Sequence, residues 1–277
     1  MTFTTDQSTA AAFAQSWNNL PAGSIYTHEQ FIDWLTPLTK DDAQGKKVLE
    51  LGCGNGSLLT HMANWQPSLL VGVDLGDSVA AAKKNLAALP FKHWQIIKAD
   101  LVEWQSDGFD VVYCIGVLHH LQEPRAGFAA VIRNVKPGGQ FHIWVYAREG
   151  NGVIICLVDP LRKIVSRCLP WWMIKYGIAT PLAVPFFLYA KLLFYLPRLT
   201  WLRRLPLYQY CLWIAKREFS FFRHVAFDQL ITPQTTYLSR PTIESWLKNN
   251  SRIDQKSVYI IMRNSNSWKF GGRVKQE

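Results

Sequence analysis

Glu50-Leu51-Gly52-Cys53-Gly54-Asn55-Gly56 lies between a short apolar run and the start of a helical pattern near Ser57. Glycines there let the backbone turn tightly and admit a ligand against the main chain. Their Gly-x-Gly-x-Gly spacing differs from the Gly-x-Gly-x-x-Gly of dinucleotide sites, whose helix N-terminus takes a pyrophosphate. Asp74 ends the second apolar run 22 residues after Gly52, where a carboxylate can accept hydrogen bonds from both hydroxyls of a ribose. His119 and His120 follow a later apolar run, and because imidazole titrates near neutral pH either can act as a general base. Capping or packing is the competing role for both. Tyr146 and Glu149 close the fifth apolar run, where open sheets place ligands, and are candidates for acceptor contact. His142, inside that run, reads as structural. His224 and Tyr237 belong to a polar cluster further on, which binds an acceptor or ties the chain together.

These groups need a frame. Apolar runs at Lys47 to Leu51, Leu69 to Val73, His93 to Ala99, Phe109 to Ile115 and Gln140 to Tyr146 alternate with helical patterns. Phe128, Val131, Ile132 and Val135, for example, repeat at i, i+3, i+4 and i+7. Such alternation predicts a doubly wound, mostly parallel sheet covered on both faces. A Lys136-Pro137-Gly138-Gly139 turn is expected before the fifth strand, and Tyr26 precedes a helix over Glu29 to Leu35. That helix either covers a ligand or simply packs. A helix over Pro241 to Asn250 and a terminal hairpin, Ile253 to Met262 and Trp268 to Val274, close the chain. Residues 1–150 and 226–277 are thus expected to form a ligand-binding core, with a helical insertion at 151–225.

The 277 residues are 49% hydrophobic and 18% charged, which excludes a disordered chain. Five cysteines are widely spaced without a Cys-x-x-Cys pair, so neither a disulfide framework nor a zinc site is expected. No other metal-ligand spacing stands out. Met1 to Asn19 lacks the basic start and apolar middle of a secretory signal, and a cytoplasmic protein is expected. Between Pro160 and Val225 stand eleven Lys and Arg and one acid, Glu218, so this segment alone equals the +10 of the whole chain.

The glycine loop, Asp74, Asp100 after the third strand and the Pro-Gly turn, in that order, resemble the class I S-adenosylmethionine-dependent methyltransferases. The resemblance covers about Lys46 to Tyr146 and the closing helix and hairpin. It implies that Gly52, Cys53, Gly54 and Gly56 line the methionine and ribose of the cofactor S-adenosyl-L-methionine, with Glu50 behind the loop. By the same resemblance Asp74 holds the ribose and Leu75 packs on the adenine. Asp100 and the Leu101 backbone would meet its amino group and ring, and Ile115 would lie beside the sulfonium. The Asn/Asp-Pro-Pro-Tyr/Phe motif of enzymes acting on base amines or glutamine is absent, as is a Pro-Cys nucleophile. Leu-His-His-Leu at 118–121 looks like the small-molecule branch.

The insertion holds 15 aromatic residues between Pro160 and Val225. Its longest uncharged run, Tyr176 to Ala190, is 15 residues with two prolines, shorter than the roughly 20 a span needs. Short helices, each interrupted or begun at a proline, are expected, serving as a lid, as a surface on anionic lipid, or both. Nucleic-acid binding is weighed lower because the aromatics mix with Leu, Ile and Val at core-like density. The expectation is methyl transfer to an O, N or C atom of a small apolar acceptor, by a cytoplasmic protein peripheral at the inner membrane face. An RNA methyltransferase and a non-catalytic membrane-associated protein of the same fold are the alternatives.

Overall fold

Short runs of almost wholly apolar residues cannot face water on either side, and here the central ones become strands covered above and below. A computed structural model of the chain describes residues 5–18, 26–196 and 200–276. Strands β1 (Lys47–Leu51), β2 (Leu69–Asp74), β3 (Trp94–Lys98), β4 (Phe109–Ile115) and β5 (Val135–Tyr146) run parallel. β6 (Ile253–Arg263) and β7 (Ser267–Val274) form the terminal hairpin, with β7 antiparallel between β5 and β6. The strand order is 3-2-1-4-5-7-6, so the direction of winding reverses between β1 and β4. Open α/β sheets bind ligands at the carboxyl ends of the strands flanking such a reversal.

The Lys136-Pro137-Gly138-Gly139 segment is not a separate turn. β5 already starts at Val135, opposite Phe109, and a register shift before Val111 takes up the proline, which has no N–H for the ladder.

Helices α1 (Thr5–Asn18), α2 (His28–Leu35), α3 (Lys40–Ala43), α4 (Ser57–Ala63), α5 (Val79–Ala87) and α6 (Pro124–Arg133) precede the insertion. The insertion carries α7 (Asp159–Cys168), α8 (Thr180–Tyr195), α9 (Tyr208–Ile214) and α10 (Phe219–Ile231), and α11 (Arg240–Lys248) leads into the hairpin. Phe128, Val131 and Ile132 of α6 and Ile243 and Leu247 of α11 cover one face of the sheet. Phe31 and Leu35 of α2, Leu59 and Met62 of α4 and Leu86 of α5 cover the other.

Two expectations about the insertion change. Pro170 and Pro206 stand between helices as expected, but Pro160, Pro181 and Pro185 do not interrupt theirs: wide π-helical turns, Ile154–Val158 and Met173–Ala179, run straight into α7 and α8. At the end of the second turn the Thr180 amide and hydroxyl both donate to the Lys175 carbonyl five residues back, the hydroxyl at 2.8 Å. Met173–Tyr195 is therefore one continuous helix of 23 residues whose most apolar 18-residue stretch has mean hydropathy 1.6, long and apolar enough to cross a membrane. In addition, residue 225 is no boundary, because α10 runs through it. Phe222 belongs to the insertion's own core, while Phe227 and Leu230 pack beneath α7. Residues 1–4, 19–25 and 197–199, which include Ser24, Ile25, Pro197 and Arg198, lie outside the described residues.

Candidate functional site

β1 ends at Leu51, and the chain folds back over the end of β2. Gly52 sits at φ +78°, and a Cβ there would overlap the Val117 side chain, so only glycine serves. The Gly52 and Cys53 amides both donate to the Val73 carbonyl, at 2.7 and 3.1 Å. Asp74 then fixes the loop: Oδ2 accepts from the Gly54 amide and Oδ1 from the Gly76 amide, each at 2.8 Å. Burial raises the Asp74 pKa, and these two amides pull it back. The Ser78 hydroxyl also donates to Oδ1, at 3.4 Å, so with two lone pairs on each oxygen Asp74 holds the loop and keeps acceptor capacity on Oδ2 for a ribose hydroxyl. Behind the loop Glu50 is buried and accepts from the Tyr113 hydroxyl at 3.1 Å. Burial pushes its carboxyl well above the usual range.

A cavity of about 510 Å³ opens over this cradle. Glu50, Gly52, Cys53, Gly54, Asp74, Leu75, Asp100, Leu101 and Ile115 all line it. Gly56 does not; it stands one turn back as the left-handed residue preceding α4. Asp100 accepts from the Val102 amide through Oδ1 at 2.8 Å, which orients the carboxylate at the cavity edge. A bare cradle, a carboxylate with spare acceptor capacity and a second acid at the far end fit a nucleoside carrying a small charged substituent.

His119 and His120 part company. Both lie in a single 3-10 turn, Leu118–His120. His120 lines the cavity, whereas His119 is fully buried behind it and packs on His120 and Tyr146 with ring centroids 4.1 and 4.2 Å apart. Among the described residues neither ring nitrogen of His119 has a hydrogen-bond partner. Burial holds its pKa well below the usual value, so it stays neutral and away from any substrate. His120 Nδ1 lies 3.1 Å from the Gln234 carbonyl oxygen, which can only accept. Nδ1 therefore carries the hydrogen, and Nε2 keeps its lone pair. Burial lowers the His120 pKa to about 4. The Thr235 hydroxyl, 3.2 Å from Nδ1, accepts from Arg162 Nη1 at 2.7 Å, so a buried arginine of the insertion braces the histidine. Arg162 is itself ion-paired with Asp159.

Tyr146, His224 and Tyr237 line the same cavity. The Tyr146 hydroxyl accepts from Gln229 Nε2 at 3.1 Å, and its ring stacks on Tyr237 with centroids 6.1 Å apart. His224 Nε2 stands 3.1 Å from Asp228 Oδ2. Burial alone would lower the His224 pKa, but Asp228 raises it above the usual value. Glu149 is elsewhere. Its two oxygens accept from the Arg240 amide at 2.9 Å and Trp268 Nε1 at 3.0 Å, off the cavity, so it joins α11 to β7. His142 is buried between the Tyr259 hydroxyl and the Trp34 carbonyl, at 2.5 and 2.7 Å, in a structural position.

Other lining residues escaped the sequence. Asp6, Ala10 and Phe13 of α1 cover the cradle, and the Phe13 ring stands 4.9 Å from that of His120. Their i, i+4, i+7 spacing was the available signal. Beyond His120 the wall turns apolar: Ile154, Leu182, Phe186, Tyr210, Trp213 and Phe221 form a chamber supplied almost wholly by the insertion.

Residues 49–141 match the family model described as a methyltransferase domain. A ubiquinone biosynthesis O-methyltransferase of Pseudomonas fluorescens (strain SBW25) is 32% identical over 142 residues, half of this chain and 59% of that relative. The chain thus spans less than two thirds of the length of the curated relatives it matches. Among solved structures, an O-methyltransferase family protein from Burkholderia thailandensis is 15% identical with TM-score 0.54, over 90% of this chain and 57% of that one. N-methyltransferase NodS from Bradyrhizobium japonicum WM9, solved with S-adenosyl-L-homocysteine, is 12% identical with TM-score 0.50 over 98% of both chains. These two likenesses concern the fold.

Proposed function

We propose that the chain, whose residues 49–141 match a methyltransferase domain, is a class I S-adenosylmethionine-dependent enzyme that methylates a hydroxyl on a small, apolar acceptor. One observation carries the reading. A single cavity joins the Asp74 cradle to the apolar chamber, with the lone-pair nitrogen of His120 between them. Gly52, Gly54, Asp74 and Asp100 would hold S-adenosylmethionine, which when bound supplies a methyl group on a positively charged sulfur. The rest falls to this chain. The insertion's chamber takes the acceptor's apolar body, and the Trp144 and Tyr146 rings, edge to face at 5.3 Å in its wall, shield the reacting atoms from water. His120 Nε2 accepts the proton of the acceptor hydroxyl, while the Gln234 carbonyl holds the tautomer and Arg162 steadies Thr235 behind it. A histidine whose pKa is about 4 is fully deprotonated at neutral pH but weakly basic, which favours an acidic hydroxyl of phenol or enol type.

The four described cysteines are free, which supports a reducing, cytoplasmic setting. The cationic insertion supports a place at the inner face of the membrane. The test is to incubate the protein and cell extract with methyl-labelled S-adenosylmethionine and separate lipid-soluble, aqueous and RNA fractions. Label in a lipid-soluble product that is lost with His120→Ala supports the reading. Label confined to RNA, or no label despite cofactor binding, overturns it.

A further inference from the structure

Helices of soluble domains bury one apolar stripe and turn polar residues to water. The helix Met173–Tyr195 does not: only 22% of its most apolar stretch is buried. One side packs on the chain, with Ala183, Ala190 and Leu193 fully buried in the α8–α9–α10 core. The other side carries Val184, Leu188, Leu192 and Tyr195, spaced i, i+4, i+8 and i+11, which are 44%, 61%, 53% and 71% exposed. Leu157 and Ile164, seven residues apart on the preceding helical run, are exposed as well, as are Trp172, Tyr176 and Trp201. An apolar surface of this extent marks a place of contact.

Charge says with what. Arg203, Arg204 and Lys216 are exposed, and Lys163 is exposed but paired with Asp159 at 3.0 Å; from Pro160 to Val225 the single acid is Glu218. Lys175 Nζ lies 5.8 and 5.7 Å from the ring centroids of Trp171 and Tyr176. Cations beside tryptophan and tyrosine at the rim of an aliphatic face suit an anionic bilayer, where rings sit at headgroup depth and lysines meet phosphates. A second copy would bring the same excess of cations against this one. A nucleic acid would meet Leu and Val, which offer its bases no hydrogen bonds. A spanning helix would have to pull Ala183, Ala190 and Leu193 out of their own core.

The cavity joins this face. Val153 and Leu182 line the cavity, yet they are 40% and 44% exposed, so its apolar wall continues unbroken to the outer surface. We propose that the exposed face carried by residues 153–165, 169–196 and 200–204 seats in an anionic lipid surface, with the Val153/Leu182 mouth turned toward the lipid. The acceptor is then a membrane-resident amphiphile that enters sideways, its tail toward the bilayer and its hydroxyl at His120. The docking stands on the surface alone; the acceptor class rests on the methyl-transfer reading.

The experiment uses the full chain and vesicles of phosphatidylcholine with or without phosphatidylglycerol. Sedimentation should show binding to the mixed vesicles. Arg203→Glu/Arg204→Glu and Leu188→Glu/Leu192→Glu should each weaken it by about tenfold or more. Both variants should keep wild-type affinity for S-adenosylhomocysteine by calorimetry, which shows them folded. An environment-sensitive dye on the exposed Cys156, three residues from Val153, should shift to the blue when the vesicles are added. Equal binding to neutral vesicles, or none, overturns the docking. So does a dimer that Leu188→Glu dissolves, salt-sensitive RNA binding in place of vesicle binding, or resistance of the bound protein to alkaline extraction. Full binding without a dye shift overturns the placement of the mouth. If docking holds while only water-soluble acceptors are methylated, the acceptor class fails alone. If S-adenosylhomocysteine does not bind, the methyl-transfer reading fails, and the vesicle result still decides the docking.

Discussion

The sheet and the insertion spend their apolar residues in opposite ways. Leu49, Leu51 and Val73 are completely buried, because helices cover β1 and β2 on both faces. Leu157, Leu188 and Tyr195 are about two thirds exposed, because the insertion has only a thin core of its own and nothing beyond it. Hydrophobic content alone therefore says little about folding; what matters is whether the chain supplies a second layer. In the sheet apolar residues build stability, and in the insertion many of them face outward instead.

The sharpest way to break this comparison is at the boundary residue. His120 lies where the two regions meet, and His120→Ala should cut turnover by about 10²–10⁴-fold while leaving S-adenosylhomocysteine affinity unchanged. A parallel loss of cofactor affinity would mean that the histidine packs rather than reacts. Glu149→Ala, off the cavity, should leave turnover within about twofold in the same assay.

Within the insertion itself, Phe222→Ala should cost about 3–5 kcal/mol in chemical denaturation, since that ring is fully buried. Leu188→Ala should stay within about 0.5 kcal/mol, since 61% of it faces outward. Equal costs would show that the outer stripe has a partner within the fold.

Acid should discriminate the regions next. His120 and His142 have pKa values lowered by burial to about 4, below the ordinary 6.5. The unfolded chain binds protons below pH 6.5 that the folded one refuses. Their contribution is complete above that pH and is lost as pH falls toward 4, on the order of 3 kcal/mol each. Asp74 and Glu50, whose pKa values burial raises, act in the opposite sense and offset part of it. Denaturation midpoints should fall steadily between pH 6.5 and 4.5, and a flat profile would contradict the buried neutral state. The acidic limb of kcat/KM should accordingly lie near pH 4 rather than 6.5. A smaller effect concerns packing: Ala190→Leu, at a fully buried contact of α8, should destabilise by about 1–3 kcal/mol.

Strand residues announced themselves because burial on both faces demands unbroken apolar runs, and the strands follow those runs closely. The glycine loop and Asp74 were legible for a similar reason: a left-handed turn and a strand-end carboxylate leave local marks. Positions that depend on distant chain left none. His119 and His120 are neighbours of the same type, and only the return of Gln234 and Thr235 over one of them separates their roles. Glu149 stood at a strand end that usually faces ligand, but α11 and Trp268 claimed it. Prolines in α8 read as breaks because the wide turn that accommodates them has no pattern of its own.

Calorimetric titration of S-adenosylhomocysteine into the wild-type chain and into Asp74→Ala tests the central claim most directly. The account predicts one site per chain and an affinity lower by about 1–3 kcal/mol, roughly ten- to a hundredfold, in the variant. Equal affinity in both proteins, or no binding to the wild type, would contradict it.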